Sequence, residues 1–418
     1  MHRSGLHPLA NGFNNVSGAV KTSQINISST IELTQMDRTI FLERRVMKTT
    51  GAEWLWVLIL FLFSIGLHFS CEAQPVETRQ SDVNRTDIEK IMRKVADWQL
   101  AHPNKTPMGD WVQGPFINGL FALGLIPDNE HYLTAVEQIG SNLNWQVIKT
   151  VYIANDHCTP QTWLDFYKLK KVPAMIEPTR KSLDKYIADT ADADEDVSFT
   201  NKNFNKWSWC DALYMSPPAF ARMGNITGEQ KYYDYLNKWW WLVSKAYYDE
   251  NEHLFFRDQK YVNNHSETKV FWSRGNGWVV GGLVRVLEDF PQNDPMRPRY
   301  ENQLRQMCNR LLELQQPDGL WTPNLLDSKK ADEPESSGSG FFIYALAYAL
   351  NEKIIDQKYK PAICKAWLAL AGLVKDNGQL TYVQPIAESP YSFDPNSTMP
   401  YGVGAFLLAG SEMWRLAK

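Results

Sequence analysis

Three stretches of the chain place groups that can move a proton or grip an anion beside aromatic rings. Trp207-Ser208-Trp209-Cys210-Asp211-Ala212-Leu213-Tyr214-Met215 sets a carboxyl group behind two tryptophans and at the head of an apolar run. As plain structure, Asp211 is a helix N-cap. Among indole rings, desolvation also disfavours its charged form, which raises the pKa toward the range where a carboxyl donates a proton. Asn155-Asp156-His157-Cys158-Thr159-Pro160 carries a second carboxylate, for which turn formation by Asn and Asp is the structural alternative. Trp272-Ser273-Arg274-Gly275-Asn276-Gly277-Trp278 holds a guanidinium between two tryptophans, with glycines that let backbone approach a ligand. Arg pairs with a carboxylate through two parallel hydrogen bonds, and tryptophan offers a stacking face. The competing reading is a glycine-rich turn whose Arg274 closes an ordinary salt bridge.

Composition narrows the ligand. The chain has 16 Trp, 18 Tyr and 19 Phe in 418 residues, and flat apolar rings with a polar handle suit the faces of sugars. A net charge of -4, with Lys and Arg scattered rather than striped, argues against nucleic acid. With 44% hydrophobic and 22% charged residues, the chain can bury a large core.

The elements that must hold these groups read as helix after helix. Ile88, Ile91, Met92 and Val95 follow the helical period behind Asp87, a candidate cap. Similar stripes fall at Leu183-Tyr186-Ile187, at Leu304-Met307-Cys308-Leu311-Leu312 and at Ile363-Trp367-Leu370-Ala371. Strand-like alternation is confined to short pieces around Leu254–Phe256 and Lys269–Phe271. Roughly 340 residues beyond the N-terminal segment accommodate about a dozen helices of ordinary length, which suits six helical hairpins closed into a ring. Loops rich in Gly, Asn and aromatics, such as Gly109–Pro115 with Trp111, would then gather at one end and line a pocket. The acidic stretch Asp189–Asp196 reads as a solvated loop, not a domain boundary.

The N-terminus reads as a targeting segment. Lys48 follows Met47, an apolar run spans Trp54 to Leu67, and Ser70-Cys71-Glu72-Ala73-Gln74 supplies a small-residue exit. The expected organisation is an extension over 1–46, a signal peptide over 47–73 cleaved after Ala73, and a single catalytic domain over 74–418. Export, with a periplasmic destination, is the expectation. Cys71 resembles a lipoprotein acceptor loosely, because His68 fits that pattern poorly. Cys158, Cys210, Cys308 and Cys364 show neither CxxC nor ligand-spaced His, so a zinc site is not indicated and buried thiols are expected. Cys158 with Cys210 is the one pairing left open.

Together, Trp209–Met215, Trp272–Trp278, Glu335-Ser336-Ser337-Gly338-Ser339-Gly340-Phe341 and Tyr401-Gly402-Val403-Gly404-Ala405-Phe406-Leu407-Leu408-Ala409 resemble glycoside hydrolase family 105. These are the unsaturated rhamnogalacturonyl hydrolases, related to the unsaturated glucuronyl hydrolases of family 88. The resemblance runs from about Asp110 to the C-terminus. It implies an all-α (α/α)6 barrel that removes a 4,5-unsaturated uronic acid from lyase-generated oligosaccharides, with no metal or organic cofactor. It implies Asp211 as the catalytic aspartate and Asp156 as a second essential carboxylate, steering water, raising the Asp211 pKa or holding a hydroxyl. It places Trp272, Arg274 and Trp278 at the sugar; Trp111, His157, Trp207, Trp209 and Arg257 complete the substrate-binding candidates. Arg257, in Leu254-Phe255-Phe256-Arg257-Asp258, stands where relatives tend to carry a histidine. An extra cation there would favour a sulfated or uronic-acid substrate, unless Arg257 pairs with Asp258 or Glu252.

The implied chemistry is hydration of an enol ether: protonation at C4, attack of water on C5, and opening of the resulting hemiketal. One carboxyl group serves twice, giving a proton and then accepting one from water. Three alternatives remain: an inverting glycosidase with Asp211 as acid and Asp156 as base, a sugar epimerase, and a noncatalytic glycan-binding protein. Epimerases lean on paired histidines, and only five histidines lie beyond the targeting segment.

Overall fold

The computed structural model describes residues 83–147, 153–264, 269–327 and 333–417. The extension, the targeting segment, its cleavage site and Cys71 lie outside the described residues. Twelve helices of eleven or more residues occur among those described. In chain order they are α1 (Arg85–Ala101), α2 (Gly114–Gly124), α3 (Glu130–Asn142), α4 (Pro160–Lys170), α5 (Glu177–Asp189) and α6 (Pro217–Thr227). They continue with α7 (Gln230–Tyr247), α8 (Ser273–Leu287), α9 (Arg297–Glu313), α10 (Ser336–Asn351), α11 (Lys360–Ala371) and α12 (Pro400–Leu416). Between α7 and α8, Tyr248–Asp249 pairs antiparallel with Leu254–Phe255. Residues 269–271 form no strand; the adjacent Trp272 makes an isolated bridge to Asn324.

The helices alternate between two rings. Even-numbered helices are buried almost all round: every residue of α8 is buried, as are Ser336–Leu350 of α10. A helix with no polar face belongs inside. The odd-numbered helices bury one stripe each, such as Ile88, Met92, Val95 and Ala96 of α1. The cap of α1 is Asn84, whose side chain accepts from the Asp87 amide at 2.9 Å, so Asp87 sits in the first turn and is not the cap. Around the inner ring each helix packs on the next, and α12 closes the circle against α2. Glycine makes that closure possible, since a Cβ on Gly404 would lie 2.2 Å from the Pro115 carbonyl carbon. The architecture is the (α/α)6 barrel.

Neighbouring inner helices meet first turns to first turns, as Gly404 does Pro115, Gly340 does Ala405, Gly277 does Gly338 and Asn118 does Thr162, so they run the same way and their N-terminal ends share one mouth. Their C-terminal halves meet at the opposite end in a buried ionic cluster. There Arg222 donates to Asp165 at 2.9 Å, to the Arg285 carbonyl at 2.8 Å and to Glu288 at 2.9 Å. Lys168 bonds Asp289 at 2.9 Å.

Candidate active site

Asp211 opens the one-turn helix Ala212–Met215 that leads into α6. Its side chain makes no capping hydrogen bond on that helix, so the purely structural reading is not realised. It is half-buried. Burial pushes its pKa up; the Arg257 charge, a hydrogen bond from the Cys210 thiol at 3.2 Å and the Arg274 charge pull it down without cancelling the rise. A carboxyl group raised by desolvation yet flanked by two guanidiniums is suited to donating a proton beside an anionic ligand.

The two cations stand on aromatic supports. Arg274 lies in the first turn of α8, 4.4 Å over the Trp272 ring and 5.0 Å from the Tyr401 ring centre. It donates to the carbonyls of Gln384 at 2.6 Å and Pro385 at 2.9 Å. Trp272 and Tyr401 converge on the same residue: the indole donates to the Gln384 side chain at 2.7 Å and the phenol to its carbonyl at 2.6 Å. Glu335 caps α10 and accepts from the Gln384 amide at 3.1 Å. Arg257 packs 4.2 Å over the Phe199 ring, which meets Trp209 edge-on at 5.8 Å. The Arg257 carbonyl accepts from the Cys210 amide at 2.8 Å, which ties the strand arm to the Asp211 turn.

The stretch Trp272–Trp278 is the start of an inner helix, not a loop. Its glycines serve packing instead of ligand approach: a Cβ on Gly277 would sit 3.2 Å from the Gly338 Cα. Asn276 uses its amide to bond both the Phe255 N–H, at 2.7 Å, and the Phe255 carbonyl, at 3.0 Å. Arg257 pairs with Asp258, while Glu252 pairs with Arg310 at 2.6 Å.

Asp156 is buried on the short turn Ala154–His157, which packs against the Ala212–Met215 helix. His157 is fully buried, its ring nitrogens 2.7 Å from the Ser216 hydroxyl and 2.9 Å from that of Ser182. Burial pushes it down to about 3. It is thus a neutral link between elements, placed behind the site. Trp207 is also fully buried, edge-on to Phe220 and Tyr235 at 5.6 and 5.4 Å, between α6 and α7. Trp278 packs on Tyr214 and Phe341 in the core. Trp111 is half-buried and lies parallel to Tyr401 at 5.8 Å. The structure therefore gathers Arg257, Arg274, Trp272 and Trp209 around Asp211, joins Trp111 to them only through Tyr401, and sets His157, Trp207 and Trp278 into the packing.

Phe199, Gln384, the role of Tyr401 and Glu388, whose carboxylate stands 3.6 Å from Arg257 Nη2, escape sequence reasoning. Tyr401 and Glu335 lie in quoted motifs, but nothing in the chain from 372 to 399 marks Gln384 or Glu388. Phe199 arrives because the acidic stretch is anchored: Lys206, almost fully buried, binds the Asp194 carboxylate and donates to the Asp196 carbonyl at 2.8 Å. Cys158 and Cys210 are both free thiols. Among the described residues, no group of three or more His, Cys, Asp or Glu is placed to hold a metal ion. A groove of about 970 Å³ between α7 and α9 is larger than any other cavity described, yet it holds neither Asp211 nor Asp156. Volume alone does not mark the chemistry.

Comparison with known proteins places this geometry. The sequence profile described as Glycosyl Hydrolase Family 88 matches residues 79–417. A protein of Formosa agariphila named unsaturated 3S-rhamnoglycuronyl hydrolase is 36% identical over 351 residues, covering 81% of this chain and 93% of that protein. One of the same name from Alteromonas sp. (strain LOR) is 30% identical over 368 residues, covering 82% of this chain and 88% of its own length. A solved glycosyl hydrolase family 88 structure from Bacteroides vulgatus superposes with a TM-score of 0.73 at 26% identity, over 79% of this chain and 99% of that one.

Proposed function

The chain belongs to glycosyl hydrolase family 88 and is an unsaturated uronyl hydrolase, and from that premise we propose that its substrate is a lyase product in which the unsaturated uronate precedes a sulfated rhamnose. The observation that carries the catalytic assignment is Asp211: a carboxyl raised by burial, between two ring-supported guanidiniums. Asp211 gives its proton to C4, and the developing positive charge is shared by C5 and the ring oxygen. The resulting carboxylate then takes a proton from the water that attacks C5. The hemiketal opens and releases the aglycone. Arg274, buried beside Asp211 and backed by Trp272, supplies the positive charge that favours the uronate carboxylate there. The second sugar is read from the names of the two curated relatives and from the second cation, Arg257.

The test is optical. The conjugated C4=C5 bond absorbs in the ultraviolet, so turnover of lyase-generated oligosaccharides lowers the absorbance, while saturated counterparts release almost nothing. Equal release from saturated and unsaturated ends would make the protein an inverting glycosidase with Asp156 as base. Retained sugar binding with no product would make it a binding protein.

We also propose that residues 47–73 route the protein out of the cytoplasm, to the periplasm, with lipid attachment at Cys71 as the alternative to cleavage after Ala73. The layout of Lys48, the apolar run and the exit at Ala73 supports this. The intact mass of natively produced protein is expected to begin at Gln74, or at a lipid-modified Cys71. A cytoplasmic product that keeps 47–73 would refute export.

A further inference from the structure

A guanidinium offers two edges that grip an oxyanion with a pair of parallel hydrogen bonds: Nη1 with Nη2, and Nε with Nη2. In Arg257 the first is committed, because Nη1 binds the Asp258 carboxylate, which is itself buried. The Phe199 ring covers one face at 4.2 Å. The second edge is different. The Nε–H is buried with no hydrogen-bond partner among the described residues, and Arg257 as a whole is 8% exposed. An orphaned, charged donor of this kind is costly unless something completes it.

An oxyanion already stands near Nη2, the atom the two edges share. The Glu388 carboxylate lies 3.6 Å from Nη2, beyond hydrogen-bond length, and its side chain is 69% exposed. Glu388 thus reaches Arg257 from the solvent side without closing on it. An exposed carboxylate gains little from such a loose pair and can be displaced cheaply. The approach it occupies is therefore open to a better-fitting anion.

We propose that Arg257 is a specificity-determining residue: its Nε/Nη2 edge holds a sulfate ester on the sugar that follows the unsaturated uronate, displacing Glu388. A sulfate ester presents three terminal oxygens, carries its charge at every pH of interest and fits a two-donor edge. Arg274, buried and bonded to the 384–385 backbone, supplies the positive field for the uronate carboxylate. The two anions of such a substrate are then matched by two cations whose charges both reach the proton carrier. The assignment rests on the proposed function, and the experiment separates the two.

The probes are one unsaturated uronyl-rhamnose disaccharide with a 3-sulfate on the rhamnose and the same disaccharide after desulfation. For the wild-type protein, KM for the sulfated form is expected to be lower by about 10- to 100-fold, the weight of a charge-assisted hydrogen bond. Arg257→Lys keeps a cation against Asp258 but has no two-donor edge, and it should bring the ratio of the two KM values close to one. Glu388→Ala removes the competing anion and should widen the ratio. The ratio is the readout because a change in Asp211 electrostatics alters both substrates alike; a pH profile of kcat on each substrate checks this. Calorimetric titration of both disaccharides into wild type and Arg257→Lys measures the same preference without turnover. A sulfate preference that survives Arg257→Lys, or a wild type that binds both forms equally, overturns the proposal. If neither disaccharide is hydrolysed while the titrations show the preference, the proposed function fails and the anion site stands.

Discussion

Asp211→Asn is expected to lower kcat by about 10²–10⁴, the range that general acid–base catalysis contributes, with substrate affinity largely kept. The change preserves size and most hydrogen-bonding capacity, and it removes only the ability to carry a proton from C4 to the attacking water and back. The side chain caps no helix, and among the described residues its side-chain hydrogen-bond partner is the Cys210 thiol, so the fold should tolerate the amide. The pH profile supplies a second readout. Burial raises the Asp211 pKa, so its acid form persists to higher pH than in an ordinary carboxyl group. The alkaline limb of kcat/KM follows the loss of that proton and should disappear from the residual activity of Asp211→Asn. Near-normal kcat in a variant shown to be folded by circular dichroism would remove Asp211 from the mechanism.

Arg222→Ala should destabilise the barrel by about 3–5 kcal/mol, the usual cost of leaving a buried charge without its partner. Arg222 is 2% exposed and neutralises Asp165 and Asp289 at the end of the barrel away from Asp211. Lys170→Ala breaks a half-exposed pair with Glu137 and should cost less than about 1 kcal/mol. Urea midpoints of the two variants measure the difference. The effect also has a pH signature. Burial pushes the Asp165 pKa up, but Arg222, Lys168 and Arg285 outweigh it and hold the carboxyl well below the usual range. A depressed folded-state pKa gives stability that is present above the unfolded value of about 3.9 and lost as pH falls toward the folded one. The gap between wild type and Arg222→Ala should therefore narrow below about pH 4. A gap that stays constant into acid would mean that cavity formation, not charge, sets the loss.

The helices that the sequence displayed by their period are those of the outer ring. Met92 and Val95 of α1, Leu183 and Tyr186 of α5, Leu304, Met307 and Leu311 of α9, and Ile363 and Trp367 of α11 each mark a stripe between water and core. The inner helices show no such contrast, because a helix buried on every side has no polar face for a period to reveal. For that reason Trp272–Trp278 reads as a glycine-rich loop although it begins α8, and its glycines mark where helices touch. Tryptophan was an equally ambiguous sign. Trp272 supports Arg274, whereas Trp207 and Trp278 fill the core, and only packing separates these uses.

The sequence by itself determined the chemistry at hand: a carboxyl group behind two indoles at Asp211, a guanidinium beside Trp272, and enough apolar helix to close a ring. Short-range order suffices for these because each motif holds its own functional group and the local residues that position it. Tertiary structure alone decided what surrounds Asp211. Arg257 reaches it from the segment after the short strand pair and Arg274 from the first turn of α8, Phe199 and Tyr401 supply rings from positions about two hundred residues apart, and Gln384 and Glu388 come from a segment with no periodic pattern. His157 was likewise assigned by its place: with both ring nitrogens beside hydroxyls and no contact with water, it holds two elements together. Spacing along the chain carries no information about which loops share the mouth of a closed ring. That is set by the inner helices, whose common direction brings all six of their N-terminal ends to one side.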